Sequence, residues 1–170
     1  VVDLSAAEIE LAEVESREFR FRNALQQVAS DYDYIFIDCP PSLGLLTVNA
    51  LCAAECVVVP LQCEFYALEG LSQLMRTINM VRQGLHKDLV VQGIVLTMYD
   101  SRNKLSEMVA NDVRSHFGKL VYTTVIPRNV RISEAPSFGQ PVLIYDLKCA
   151  GAQAYVALAA ELLSQEKEAA

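Results

Sequence analysis

The stretch Tyr34-Ile-Phe-Ile-Asp38-Cys-Pro40-Pro41-Ser42-Leu-Gly44 decides the fold class of this chain. Its four consecutive apolar residues, which are aromatic or β-branched, predict a short buried strand over 34–37. The strand ends on the carboxylate of Asp38, and two prolines then turn the chain sharply. Because open α/β sheets bind ligands at the carboxyl ends of their strands, the stretch predicts a ligand site at Asp38.

Three further apolar runs predict strands, and they are Val57-Val58-Val59, Leu89 to Thr97 and Leu120 to Ile126. The apolar residues are consecutive and do not alternate with polar ones, which indicates strands that are buried on both faces. Such strands are typical of parallel sheets covered by helices. We therefore expect at least four strands in one mostly parallel sheet.

Helical spacing occupies the segments between these runs. Apolar residues recur at intervals of three and four from Leu68 to Val81 and from Tyr155 to Leu162. The segments from Arg17 to Val28 and from Asn103 to Phe117 are predicted helices too. The alternation of strand and helix predicts a doubly wound α/β fold with helices on both faces of the sheet, and residues 1–170 as a single domain.

Composition excludes several classes of protein. Apolar residues make up 52% of the chain and charged residues 21%, which excludes a disordered or fibrous protein, and no apolar run is long enough to cross a bilayer. The five cysteines are odd in number and form no C-x-x-C pair, so we expect reduced, buried thiols.

Charge is distributed unevenly along the chain. The net charge of −7 argues against a general nucleic-acid coat protein. The segment from Asp100 to Arg131, however, holds six basic residues against three acidic ones, so it carries +3 and the remainder carries −10. A local basic face on an acidic body is the resulting prediction.

The stretch from Asp38 to Gly44 and several later segments together resemble the ParA/Soj family of chromosome- and plasmid-partitioning ATPases. The later segments, in family order and at family-like spacing, are Asn49-Ala50-Leu51, Val58 to Glu64, Tyr66 to Gly70, Thr97 to Asp100 and Ile126 to Ser137. The resemblance covers nearly the whole chain. It implies the P-loop NTPase-like fold of the MinD/ParA superfamily.

The resemblance also implies an activity. Members of this family hydrolyse ATP with Mg²⁺, form a homodimer on ATP binding, and bind DNA without sequence preference. A centromere-binding partner of the ParB type stimulates hydrolysis and release. The implied location is the cytoplasm, in association with the nucleoid and without membrane attachment.

Residue by residue, Asp38 matches the Walker B aspartate that holds Mg²⁺ through a water molecule. The switch loop of the family corresponds to Cys39, Pro40, Pro41 and Ser42. Nucleotide-binding positions, on the adenine side, correspond to Met98, Pro127 and Asn129. A competing interpretation of the first stretch is an acidic strand end followed by an ordinary turn. The position of Cys39 beside Asp38 would suit a reactive thiol, but we expect burial in the strand end to make it inert.

Three arginines lie in segments that present DNA-contacting basic residues in similar proteins, and they are Arg102, Arg128 and Arg131. Arginines on loops can pair with phosphate oxygens, which gives salt-sensitive affinity without sequence information. The alternative for each arginine is a solvated face or a local ion pair, for example Arg131 with Glu134.

The family's phosphate-binding loop, of the form K-G-G-x-G-K-T-T, does not occur in these 170 residues. We therefore expect an amino-terminally truncated chain that lacks the first strands of the sheet and shows no ATP turnover by itself, whereas the full-length protein hydrolyses ATP. The alternative function is a non-enzymatic pseudo-ATPase or regulatory module that binds DNA or a partner. A membrane-cycling relative would need a basic amphipathic carboxyl-terminal helix, but the residues from Ala159 to Ala170 are acidic.

Overall fold

The computed structural model of this chain describes residues 10–11, 13–39 and 44–169. Helices and strands alternate from Leu45 to Pro127, and helices follow to the end of the described residues. The α-helices and strands are α1 (Arg20–Leu25), α2 (Leu45–Ala53), β1 (Cys56–Gln62), α3 (Ala67–Gly84), β2 (Val90–Tyr99), α4 (Lys104–Phe117), β3 (Val121–Pro127), α5 (Val130–Glu134), α6 (Val142–Tyr145) and α7 (Ala150–Ala169). Short 3₁₀ turns occupy Arg17–Phe19, Ala29–Asp31, Gly118–Leu120 and Ala135–Phe138.

The described strands form one three-stranded sheet in the order β1-β2-β3. Strands β2 and β3 are parallel, with Ile94 opposite Val121 and Tyr99 opposite Pro127. All three strands fall on runs that the apolar pattern predicted, and a helix connects each strand to the next. The predicted α/β class, a doubly wound and mostly parallel sheet of the P-loop NTPase-like type, is confirmed.

The predicted strand over 34–37 is wrong for this structure. Residues 34–39 have no regular secondary structure, and the Phe36 side chain is 87% exposed. A strand exists only where its backbone N–H and C=O groups pair with a neighbouring strand. This segment pairs with no strand in the described ranges, and Tyr34, Ile35 and Phe36 are exposed while Ile37 is half-buried. Tyr34 and Phe36 instead stack on each other with ring centroids 6.4 Å apart.

The described residues belong to two compact units. The first holds the residues up to Val57 together with Ser72–Val90, and the second holds Val58–Leu71 together with the residues from Val91 onward. The boundaries therefore fall inside β1, inside α3 and at the start of β2. The single-domain interpretation of residues 1–170 stays a prediction.

The second unit contains nearly the whole sheet and its core. Val95, Tyr122 and Ile126 are buried at its centre, and Leu158 and Leu162 of α7 pack against them. Tyr122 fits because Gly93 has no side chain: a Cβ added at Gly93 would collide with the Tyr122 ring. A glycine in the interior of β2 is thus required by the close approach of an aromatic ring.

Strand β3 is irregular at its middle. Ile94 faces Val121 and Leu96 faces Val125, so β3 uses four residues where β2 uses two. The Glu161 carboxylate of α7 accepts hydrogen bonds from the released backbone N–H groups of Thr123, at 2.6 Å, and Thr124, at 2.9 Å. Partial burial raises the pKa of Glu161, but hydrogen bonds from the side chains and backbone N–H groups of Thr124 and Thr123 outweigh it, and the net pKa lies below its usual value.

The first unit packs α2 against α1. Asn49, which is buried in α2, accepts a hydrogen bond from the Phe21 backbone N–H at 3.1 Å and donates one to the Leu45 carbonyl at 3.0 Å. The helix predicted from Arg17 to Val28 is shorter in the structure. It consists of a 3₁₀ turn and α1, neither of which has a side-chain cap at its start, and the residues from 26 to 28 form a turn.

The cysteines correct another prediction. None of the five, all of which lie in the described ranges, forms a disulfide, but only Cys52 and Cys63 are buried, whereas Cys39 and Cys56 are exposed. Cys39 is exposed because the segment that carries it is not a covered strand. The pKa of its thiol is nevertheless raised, first by partial desolvation and then by the neighbouring Asp38 carboxylate. A raised pKa leaves less of the nucleophilic thiolate at neutral pH than an ordinary cysteine has.

Candidate functional site

Asp38 lies near the end of the irregular segment 34–39 in the first unit, and it is exposed. An exposed carboxylate is available to a cation or to a water molecule bound to one. Cys39 follows it, and its Sγ lies 3.8 Å from the Ile37 carbonyl oxygen. Pro40, Pro41 and Ser42, the remaining residues of the predicted switch loop, lie outside the described residues.

A pocket of about 200 Å³ opens in the second unit, where β2 and β3 end. Three residues predicted from the sequence, Met98, Pro127 and Asn129, line it together. They meet because β2 and β3 are parallel neighbours, so the carboxyl ends of both strands, and the residues just after β3, lie at the same edge of the sheet. The other lining residues are Pro60, Thr97, Ile126, Ile132, Ser133 and Tyr155.

Met98 adopts a backbone conformation that non-glycine residues rarely take. Its φ is +53°, in the left-handed region. Between the pairs Leu96–Val125 and Tyr99–Pro127, β2 contains one more residue than β3, which marks a β-bulge at this point. The conformation costs roughly 1–2 kcal/mol, so the surrounding ladder must hold it in place. Part of that ladder is the bond from the Arg128 N–H to the Tyr99 carbonyl, at 2.9 Å.

Asn129 is fixed by its own helix. It is the N-cap of α5, and its Oδ1 accepts a hydrogen bond from the Arg131 backbone N–H at 2.9 Å. Capping satisfies one of the free N–H groups at the start of a helix. A carboxamide has further hydrogen-bonding positions on its oxygen and nitrogen, so a capped Asn129 can still bind a ligand.

Helix α5 approaches α7 closely behind the pocket. A methyl group added at the buried Gly151 would lie 2.5 Å from Cδ1 of Ile132 and 3.3 Å from Cβ of Asn129. Both of these neighbours line the pocket. The absence of a side chain at position 151 therefore sets the position of one wall.

The three predicted DNA-contacting arginines differ in their surroundings. Arg102 forms a two-point ion pair with Asp100, with Nε to Oδ1 at 3.0 Å and Nη2 to Oδ2 at 2.9 Å. The hydrogen bonds from Arg102 lower the pKa of Asp100 to about 2. The Arg102 side chain is nevertheless 87% exposed, so its outer N–H groups face solvent. Arg128 is exposed as well.

Arg131 is held by two carboxylates. Its Nη1 lies 2.9 Å from Oε2 of Glu134, and its Nε lies 3.5 Å from Oδ2 of Asp146. The Tyr145 hydroxyl donates to the same Glu134 oxygen at 3.2 Å. The contact between Arg131 and Glu134 is the local ion pair that the sequence offered as an alternative to a DNA contact.

Sequence reasoning missed six of the pocket residues. Most of them lie within the segments that carry the family resemblance, for example Pro60, Ile126 and Ser133. The resemblance therefore included these residues but assigned them no part in nucleotide binding. Tyr155 had only helical spacing, which predicts a core position, yet it lines the pocket and is 39% exposed.

The described ranges contain neither a cluster of metal-binding side chains nor a helix suited to a membrane. No group of three or more His, Cys, Asp or Glu side chains there is arranged to hold a metal ion. Within the same part of the chain, no helix combines the length and the apolar character that crossing a bilayer requires.

Comparison with known proteins identifies relatives. The model of the AAA_31 family, an AAA domain, matches residues 1–91. The chromosome partitioning protein ParA of Caulobacter vibrioides is 63% identical over 168 residues, which are 98% of this chain and 63% of that protein. The sporulation initiation inhibitor protein Soj of Bacillus subtilis is 54% identical over 161 residues, which are 95% of this chain and 64% of that protein. The chain thus spans less than two thirds of their length.

A solved structure is similar along nearly the whole chain. It is that of cobyrinic acid a,c-diamide synthase from Mycobacterium smegmatis, which is 39% identical with a TM-score of 0.81 and covers 99% of this chain and 62% of its own. A second structure of that protein, with a bound ATP analogue and magnesium, is 44% identical with a TM-score of 0.69 over 76% of this chain and 53% of its own. On these grounds the chain belongs to the ParA/Soj family, among the AAA domains.

Proposed function

We propose that this chain is part of a ParA-like partitioning ATPase, with residues 1–170 contributing to a single ATPase domain. ATP binding would drive formation of a homodimer that binds DNA without sequence preference. A ParB-type partner would stimulate hydrolysis, and the cycle would move chromosomes or plasmids in the cytoplasm along the nucleoid. The observation that carries the proposal is the meeting of Met98, Pro127 and Asn129 in one pocket.

The pocket has the chemistry that a nucleotide base requires. Its walls are largely apolar, from side chains such as Pro60, Met98 and Pro127, which can cover the faces of a flat ring. Thr97, Asn129 and Ser133 add a few polar groups that can reach the edge of the ring. Pockets that combine apolar walls with few polar groups are typical small-molecule sites. The ATP analogue bound by the Mycobacterium smegmatis protein supports this ligand class.

A single carboxylate such as that of Asp38 is sufficient for a Mg²⁺ site that also includes nucleotide phosphates. Magnesium in nucleotide sites keeps several waters and takes one or two carboxylates in addition to the phosphates. The single exposed carboxylate of Asp38 meets that requirement. When bound, the ion would neutralise charge on the phosphates, and Asp38 would orient one of its waters.

The arginines would bind DNA through phosphate groups. Arg102 and Arg128 are exposed and follow β2 and β3. The Asp100 carboxylate uses only one side of the Arg102 guanidinium, so the other side can donate to a phosphate oxygen. Contacts of this kind give affinity that falls steeply with salt and carries no sequence information.

The first experiment measures binding of a ribose-labelled fluorescent ATP analogue with Mg²⁺ to the full-length gene product. Asn129→Ala should weaken binding about fivefold to tenfold, because about 1 kcal/mol of hydrogen bonding to the ligand is lost. Asn103→Ala is a matched control, because Asn103 caps α4 in the same way, through the Leu105 N–H at 3.0 Å, and does not line the pocket.

Equal affinity in the two variants would contradict a nucleotide site in this pocket. DNA binding by the wild-type protein that is equally tight with and without ATP would favour the non-enzymatic regulatory module. In that case Asp38→Asn would also leave DNA binding unchanged.

A further inference from the structure

Helix α5 connects the pocket to a charged cluster. Its cap Asn129 and its residues Ile132 and Ser133 line the pocket. Arg131 and Glu134 of the same five-residue helix belong to the cluster, which also includes Asp146 and Tyr145. A helix this short has little stability of its own, so contacts made by its side chains must fix its position.

The cluster joins α5 to the region around α6. Arg131 reaches Asp146, directly after α6, while Tyr145 of α6 donates to Glu134. Tyr145 also stacks on Phe138, with ring centroids 5.1 Å apart. The arginine therefore sits between two carboxylates that come from different parts of the chain. The planar guanidinium presents Nη1 to one and Nε to the other, which the single ammonium group of a lysine cannot reproduce.

On the side that faces α7, α5 is supported by steric contact. Gly151 of α7 lets the chain come within contact distance of Ile132 and Asn129. Steric support alone prevents movement toward α7 but does not prevent movement away from it. The charged cluster supplies the attachment that the close approach lacks.

We propose that Arg131 is a positioning residue for the pocket: by binding Glu134 and Asp146 it fixes α5, and thereby Asn129 and Ile132, against the ligand. This inference rests on the proposed nucleotide function of the pocket. This role is separate from the DNA contact that the family resemblance implies for Arg131, Arg102 and Arg128. Arg102 and Arg128 are not part of this cluster.

The test is Arg131→Lys in the full-length gene product. Lysine keeps the positive charge that a phosphate contact needs but loses the two-carboxylate geometry. We expect the affinity for the ATP analogue, measured without DNA, to fall about threefold to fivefold, in the range of two partly exposed ion pairs. We also expect the preference for ATP over GTP to fall about threefold, while DNA affinity stays within about twofold.

The affinity ratio between ATP and GTP separates positioning from general destabilisation, because a smaller folded fraction lowers both affinities equally. Arg17→Lys is the matched control, since Arg17 forms an exposed ion pair with Glu18 at 3.2 Å and lies outside the pocket. If Arg131→Lys does not fold, Glu134→Gln removes one partner and should change the ratio in the same direction.

Unchanged nucleotide affinity and preference in folded Arg131→Lys would overturn the positioning role and leave the proposed function intact. A wild-type protein that does not bind the analogue, or that does not prefer ATP to GTP, would overturn the proposed base pocket and the positioning role with it.

Discussion

Residues 34–39 and the carboxyl end of β2 contain the same kind of sequence but adopt different structures. Each has a run of apolar, β-branched or aromatic residues that ends at a residue predicted to bind ligand, Asp38 in one case and Met98 in the other. Strand β2 lies between β1 and β3, whereas 34–39 pairs with no described strand. An apolar run thus indicates that a segment can be a strand, but a neighbouring strand decides whether it becomes one.

Among the substitutions that test this difference, Ile94→Ala should lower the free energy of unfolding most. Ile94 is fully buried in β2, opposite Val121. Its truncation removes apolar contacts and leaves a cavity, which should lower the free energy of unfolding by about 3 kcal/mol. Urea denaturation followed by circular dichroism measures the change. A loss under about 1 kcal/mol would show that the sheet is not the stable part of the chain.

A smaller effect is expected from Glu161→Gln, which weakens the hydrogen bonds to the Thr123 and Thr124 N–H groups. The loss should be about 1 kcal/mol at neutral pH, because a charged acceptor is replaced by a neutral one.

The same variant should alter the pH dependence of stability. The folded-state pKa of Glu161 is lowered, so its contribution is complete above the pKa in the unfolded chain and disappears as pH falls through the lower folded value. The stability difference between the wild type and Glu161→Gln should therefore shrink on acidification below about pH 4. A constant difference from pH 7 to pH 3 would contradict the role of the charge.

The smallest effect should come from Phe36→Ala. Because this side chain is 87% exposed, its removal should change the free energy of unfolding by less than about 0.5 kcal/mol. The same urea titration measures it. A loss above about 1.5 kcal/mol would contradict the difference between residues 34–39 and β2. It would mean that the segment is covered in solution, for example by a second copy of the chain.

Local patterns predicted much of the fold and part of the site. Consecutive apolar residues located β1, β2 and β3, and helical spacing located the long helices. Met98, Pro127 and Asn129 came from the family resemblance, and parallel neighbouring strands bring them together.

The remainder depends on tertiary contacts. The left-handed backbone of Met98 results from the register between two strands, and the conformational preferences of methionine do not predict it. The approach of Gly151 to Ile132 joins helices that are separated in sequence, as does the pairing of Arg131 with Asp146. The strand predicted over 34–37 is absent because it too depends on a tertiary contact. Its sequence is suitable for a strand, but its formation requires a neighbouring strand.

The irregular middle of β3 limits how the sheet can grow. Strand β3 is the outer strand on its side, and a free edge normally offers backbone N–H groups to any extended segment that approaches. Glu161 already occupies the N–H groups of Thr123 and Thr124, and α7 packs along the same strand. An incoming strand would have to displace a carboxylate and a helix. Extension of the described sheet by another chain, whether in assembly or in aggregation, is therefore directed to the side of β1.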